Sequence, residues 1–372
     1  MKSRSAAFGL AVLAGTGLLA ACGGSGSSSG KDTTVRLGFF PNITHATALV
    51  GVRKGFYAEY LGKAPKTLTF NAGPAATEAI FSGAVDATYV GPNPAINAFA
   101  KSHGQAIKVI SGSASGGASL IVEPNITTAA DLRGKKIATP QLGNTQDVAL
   151  RYWLQQHGYK TDKNGGGDVH IMPQDNSQTL QSFRQGQIDG AWVPEPYASR
   201  LVLEDQGKKL VDEASLWPGG KFVVTALMVR TDFLKKHPDL VKKLLQGQVE
   251  ATDYINTHKA DAEKAANAEL QALTGKPLKQ DVLDSTFESV TFTNDPIASS
   301  LNASAQHAEQ VGLLDHVDLN GIFDLGPLNE VLKAKGEPML TTPRPEGRGF
   351  QRSRAAVPVS PATAPERGTP DV

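Results

Sequence analysis

The residues in this chain best suited to chemistry are neutral ones, gathered at turns that open helices. Leu142-Gly143-Asn144-Thr145-Gln146-Asp147 is the sharpest case. Gly143 lets backbone approach a ligand, and Asn144 or Thr145 can cap the helix that follows. A helix N-terminus carries free N–H groups and partial positive charge, so such a turn suits an anion without help from Lys or Arg. Other turns offer the same donors: Pro41, Asn42, Thr44 and His45; Gly73, Pro74 and Thr77; Gly91 and Asn93; Pro140 and Gln141; Asn176 and Ser177; Trp192 and Glu195. In open α/β sheets ligands bind beyond the carboxyl ends of the strands, where these turns are expected to fall. His45 reads either as an anion donor or as a helix cap. Tyr89 and Trp192 read either as a ligand clamp or as core aromatics.

Catalytic constellations are missing. The chain has no His-Glu-x-x-His and no Gly-x-x-x-x-Gly-Lys-Ser/Thr, and its Gly-x-Ser-x-Gly match, Gly26 to Gly30, falls in the Gly/Ser stretch after Cys22 and not in a strand-to-helix elbow. Gly165-Gly166-Gly167 precedes a strand, the wrong side for a phosphate loop. Residues 111–119, rich in Ser and Gly, read as a hinge or ligand loop with no base beside it. Net charge is +1, from 37 basic and 36 acidic side chains, which gives no electrostatic case for nucleic acid. Cys22 is the only cysteine, so neither a disulfide framework nor a thiolate metal cluster is available. No metal or cofactor is expected.

The turns must be positioned by alternating strands and helices. Strands are predicted at 35–40, 67–70, 107–110, 120–122, 135–139, 168–172, 210–211 and 222–229, with helical patterns between them. One pattern occurs twice: Gly83-Ala84-Val85-Asp86-Ala87-Thr88-Tyr89-Val90 and Gly186-Gln187-Ile188-Asp189-Gly190-Ala191-Trp192-Val193. Each reads as a helix end, a short buried strand, and an aromatic leading into a Pro-containing turn. Asp86 and Asp189 fall at the entry ends of their strands and read as structural. Two α/β units built alike imply two lobes facing a cleft. The fold class is therefore α/β, two-lobed, with lobe one at 35–119 and 223–341 and lobe two at 120–222. The strand at 222–229 is expected to return to lobe one, paired with 120–122. The helices after Arg230, including an apolar stripe of Leu240, Val241, Leu244, Leu245 and Val249, are expected to pack on lobe one.

The ends differ from this body. Lys2 and Arg4 precede a short apolar run, then Leu19-Ala20-Ala21-Cys22 and a Gly/Ser stretch. This resembles a bacterial lipobox: 1–21 is expected to be a signal peptide, Cys22 the acylated residue, and 22–34 a flexible tether. Residues 342–372, rich in Pro, Arg, Ser and Ala, are expected to be a disordered tail.

From Val35 to about Leu325 the chain resembles the substrate-binding proteins of ABC importers for aliphatic sulfonates, taurine and nitrate. The resemblance rests on Leu37-Gly38-Phe39-Phe40-Pro41, Arg53-Lys54-Gly55-Phe56-Tyr57, Gly83-Ala84-Val85-Asp86, residues 131–137, Gln141 to Leu150 and Ala191-Trp192-Val193-Pro194-Glu195-Pro196. It implies a periplasmic-binding-protein-like fold of type II whose lobes close on a ligand and meet a membrane permease. It also implies a lipid-anchored monomer on the extracytoplasmic face, partnered by permease and ATPase subunits. An enzyme is not expected: the related pyrimidine synthase needs a cysteine-rich motif, which this chain lacks. On this resemblance Gln141, Asn144, Thr145 and nearby N–H groups hold a sulfonate. Asn42, His45, Pro74 and Asn93 line the facing lobe, and Trp192 covers the organic part near Glu195. The alternatives are nitrate, or a planar pyrimidine, thiamine-precursor or flavin ligand stacked by Tyr89 and Trp192.

Overall fold

The computed structural model describes residues 33–341. The expected signal peptide, Cys22, most of the tether and the tail lie outside the described residues. In the first lobe, β1 (Arg36–Phe39), α1 (Ala46–Arg53), α2 (Phe56–Leu61), β2 (Lys66–Thr69), α3 (Gly73–Phe81), β3 (Ala87–Val90), α4 (Pro92–Lys101) and β4 (Ile107–Gly116) follow one another. The second lobe holds β5 (Ala118–Val122), β6 (Lys136–Thr139), α5 (Thr145–Gln156), β7 (His170–Pro173), α6 (Asn176–Arg184), β8 (Gly190–Pro194), α7 (Tyr197–Leu203) and β9 (Lys208–Asp212). The chain then returns through β10 (Val223–Arg230), α8 (Thr231–Lys236), α9 (Pro238–Thr257), α10 (Lys259–Thr274), α11 (Gln280–Ser289), β11 (Val290–Phe292), α12 (Ala298–Gln310) and α13 (Gly326–Lys335).

The strands form two sheets, ordered β11-β4-β10-β3-β1-β2 and β7-β6-β8-β5-β9. They share one plan. Three parallel strands (β2-β1-β3, then β7-β6-β8) are followed by an antiparallel strand that crosses from the other lobe, β10 in one and β5 in the other. The two copies of the repeated pattern supply β3 and β8, which occupy the same place in their sheets. Each sheet has an apolar cluster on both faces, as a doubly covered sheet must. In α9 the buried stripe includes Val241, Leu244, Leu245 and Val249, and it packs against α1 and α2. Among the described residues no helix is long and apolar enough to cross a membrane.

Two expectations are corrected. Residues 222–229 do form the return strand, but β10 pairs with β3 and β4, while residues 120–122 pair with β8 and β9 in the other sheet. Residues 111–116 are no loop: they extend β4, with Ser111, Ser113 and Ser115 buried. Their small side chains, which look like turn residues, suit a crowded strand. At Gly112 a Cβ would collide with the carbonyl of Asp295. Only Gly116 and Gly117, at φ 81° and 70°, make the passage between lobes, a conformation open to glycine.

Candidate ligand-binding site

The carboxyl ends of β1, β6 and β8 point their turns at one another, and a cavity of about 320 Å³, counted with its open mouth, lies between them. Its walls include Asn42, Thr44 and His45 from the first lobe and Asn144, Thr145, Gln146 and Asn176 from the second. A second compartment of about 270 Å³ shares Phe40, Asn42, Asn71 and Asn176 and adds Asp175, Ser177 and Tyr197. Among the described residues, no Lys or Arg lines either compartment. Any anion here must be held by neutral donors.

His45 is the key group of the first lobe. Its ring stacks on Phe40 with centroids 4.3 Å apart, and the Phe40 N–H donates to Nδ1 at 3.2 Å. An accepting Nδ1 leaves the proton on Nε2, so the neutral ring is a donor. Burial pushes its pKa down to about 3, which keeps it neutral throughout the physiological range. Behind it stands a polar chain in which Tyr57 and Tyr89 share a hydrogen bond and Tyr89 donates to Gln248.

The second lobe positions its donors differently. Asn144 has extended backbone angles at the start of α5, and the N–H groups of Thr145 and Gln146 are the first of the helix, with no carbonyl four residues back to accept them. Asp147, fully buried, accepts from the Gly143 N–H at 2.9 Å and the Thr139 hydroxyl at 2.9 Å. Arg151, one turn on and equally buried, donates to Asp147 at 3.1 Å and also to the Asp162 carbonyl. The pair holds the turn rigid and cancels its own charge. In consequence the Gly143 N–H is committed to Asp147 and is not free for a ligand. Thr145 Oγ1 and Asn176 Oδ1 are buried without any hydrogen-bond partner. Buried polar atoms left unmade cost roughly 1–3 kcal/mol each, and here both belong to the cavity wall.

The lobes touch around this cavity. Asn144 Oδ1 accepts from the Gly73 N–H at 3.2 Å, and Asn71 donates to Asp175 at 3.2 Å. At Gly91 the approach is so close that a Cβ would collide with Thr145 Oγ1.

Of the expected site residues, Asn42, His45, Asn144 and Thr145 meet at the cavity. Gln141 sits at the rim, its amide 3.5 Å from Asp175. Pro74 is half-buried in the first turn of α3, off the cavity wall. Asn93 donates to the Ser304 carbonyl at 3.1 Å and ties α4 to α12 instead. Glu195 accepts from the Ser199 N–H and hydroxyl at 3.0 and 2.9 Å and from Thr286 at 3.3 Å, closing the first turn of α7. Burial raises its pKa. Trp192 is fully buried against Trp153, with Nε1 donating to Glu213 at 2.7 Å. Tyr89 belongs to the first-lobe core. Both aromatics anchor cores through a polar tip, so neither covers nor stacks on a ligand. Asn71, Ala72, Phe40, Pro194 and Val224 also line the wall, outside the expected set. The first two lie just before Gly73 and could have been added from that turn; Val224, in the middle of an apolar strand, gave no signal.

Two α/β lobes of one plan, with a cavity at the carboxyl ends of their strands, define a binding protein of the periplasmic-binding-protein fold. The chain belongs to the NMT1-like family, whose model matches residues 28–270. It is 27% identical over 331 residues to the bicarbonate-binding protein CmpA of Synechococcus sp., covering 82% of this chain and 67% of that one. It is 28% identical over 185 residues to the taurine-binding periplasmic protein of Escherichia coli (strain K12), covering 49% and 54%. Among solved structures, the periplasmic nitrate-binding protein NrtA from Synechocystis PCC 6803 matches with a TM-score of 0.70 at 16% identity, covering 81% of this chain and 89% of that one.

Proposed function

We propose that this protein is the extracytoplasmic substrate-binding component of an ABC importer, closing its lobes on a small anion and presenting it to permease and ATPase subunits. One observation carries this reading: an interlobe cavity walled by neutral donors, with the Thr145 hydroxyl buried and unpartnered. The relatives named for bicarbonate and taurine support the same class of ligand. The ligand proposed first is a short aliphatic sulfonate, its oxygens on Thr145, His45 and the N–H groups that open α5. Cys22 would tether the protein to the membrane as a lipoprotein. A small inorganic oxyanion such as nitrate or hydrogencarbonate is the second reading, supported by the relative named for bicarbonate. A planar ligand finds no support, because Tyr89 and Trp192 are committed to cores.

Thermal unfolding against a panel of short sulfonates, nitrate and hydrogencarbonate tests the reading, since a ligand that binds only the folded state stabilises it by mass action. A true ligand at a hundred times its Kd adds about 2.7 kcal/mol. Thr145→Val is expected to weaken that ligand about tenfold, the loss of one hydrogen bond. Unchanged affinity in the Thr145→Val, Asn144→Ala double variant would move the anion site elsewhere.

A further inference from the structure

Two helix starts meet across the cleft. Asn144 stands at the N-cap of α5, yet its side chain bonds no N–H of that helix. Its Oδ1 instead accepts from the Gly73 N–H, the first of α3 in the other lobe, at 3.2 Å. A Cβ at Gly73 would lie 2.8 Å from that oxygen, so the approach needs glycine. Amide orientation is decided by hydrogen bonds, and a backbone N–H can only donate. Asn144 must therefore turn its oxygen to Gly73 and its NH2 the other way, where it donates to Gln146 Oε1 at 3.0 Å. Gln146 in turn must give its oxygen to Asn144, because the opposite setting would face two NH2 groups. Its own NH2 is left over. Among the described residues Nε2 meets no acceptor, yet unlike Thr145 Oγ1 it is not sealed from open space, and Gln146 lines the cavity.

We propose that Gln146 is a ligand-binding residue that gives a side-chain N–H to the anion, and that Asn144 is the positioning residue that aims it. The proposal rests on the small-anion reading of the cavity and adds a donor to it. Closure sets the aim: the Gly73 N–H fixes Asn144, and Asn144 fixes Gln146 in the setting that offers a donor. With the lobes apart, Asn144 loses that partner, and Gln146 is free to present either end of its amide. The anion thus meets its full set of donors only in the closed form. Asn144 spends both ends of its own amide within the protein and does not touch the ligand.

Calorimetric titration of the purified full chain with taurine, ethanesulfonate, nitrate and hydrogencarbonate tests this, using whichever binds the wild type most tightly. Gln146→Met removes the donor at similar length and should weaken that ligand about tenfold, the loss of one hydrogen bond. Gln146→Glu still accepts from Asn144 but turns a carboxylate oxygen to the anion, and should weaken it about a hundredfold. An acid in the first turn of α5 suits the helix, so this variant keeps its fold, and urea midpoints check that it does. Asn144→Ala should weaken binding about fivefold in the wild type and less than about twofold in the Gln146→Met background, where nothing remains to aim. Equal losses in both backgrounds mean that Asn144 acts independently of Gln146, and they overturn the positioning role. Wild-type affinity in both Gln146 variants, with Thr145→Val still weakened, overturns Gln146 as a ligand residue and leaves the small-anion reading intact. If none of the four anions binds the wild type, that reading falls and this proposal with it.

Discussion

The two lobes are alike at one end of their sheets and unlike at the other. At the strand entries the repeated aspartates do the same work. Asp86 accepts the Arg36 N–H at 2.9 Å and Asp189 the Lys136 N–H at 2.8 Å, and each returns its own N–H to the carbonyl of that same residue at 2.8 Å. Each also holds a cation, Arg36 or Lys135. At the cleft end the lobes part company. The first presents a neutral imidazole backed by tyrosines; the second presents a helix start braced by a buried ion pair. What is repeated holds the sheets together, and what is not repeated forms the cavity.

The largest test of that division is the brace. Arg151→Ala strands the Asp147 carboxylate at 0% exposure. Removing one partner of a buried pair costs roughly 3–5 kcal/mol. The same change loosens the turn at Gly143 and Asn144, so affinity should fall together with stability in chemical denaturation and calorimetry. Loss of stability with affinity preserved would show that the second lobe does not need its brace to form the site.

The repeated end should behave oppositely. Asp86→Ala removes an acceptor of which 2% is exposed, for an expected loss of about 2–3 kcal/mol. Asp189 has 30% of its side chain exposed, and Asp189→Ala should cost about 1 kcal/mol. Neither change should move the affinity for the best ligand more than about twofold, since both lie at the far ends of the sheets. A large affinity change in either would break the separation between the structural end and the binding end.

Much of this division was legible in the sequence, and the failures have specific causes. The two-lobe plan followed from the doubled pattern, and Asp86 and Asp189 read correctly as structural because they precede their strands. Asn42, His45, Asn144 and Thr145 converge on the cavity because strand ends and helix starts gather at one edge of an α/β sheet. The aromatics misled. Tyr89 and Trp192 stand at the cleft ends of their strands, but alternation along a strand sends side chains to the sheet faces, where Gln248 and Glu213 wait far along the chain. Residues 111–116 misled for a related reason, because a Ser/Gly composition describes a tight strand as well as it describes a turn. Glu195 and Asn93 sit in the right turns, but their partners, Thr286 and Ser304, come from the late helices, which local pattern cannot bring into place.

The finest contrast between the lobes is one of protonation. Glu213 in the second lobe is held up to about 7 by burial, against the hydrogen bonds from Trp192 and Trp217 that pull it down. The folded state therefore binds the extra proton, and its contribution is present below the unfolded value near 4.5 and lost as pH rises through 7. His45 in the first lobe is pushed down to about 3, so the unfolded state binds the proton there. Its contribution is present above 6.5 and lost as pH falls towards 3. Between pH 5 and 7 the two slopes oppose each other, each of about 2 kcal/mol. Glu213→Gln should make stability rise more steeply with pH than in the wild type, and His45→Gln should make it fall. Urea midpoints at several pH values separate them, with slopes taken against the wild type so that groups common to all three cancel. If both variants tilted the profile the same way, one of the two burial assignments would be wrong, and with it either the neutral donor in the first lobe or the carboxyl core of the second.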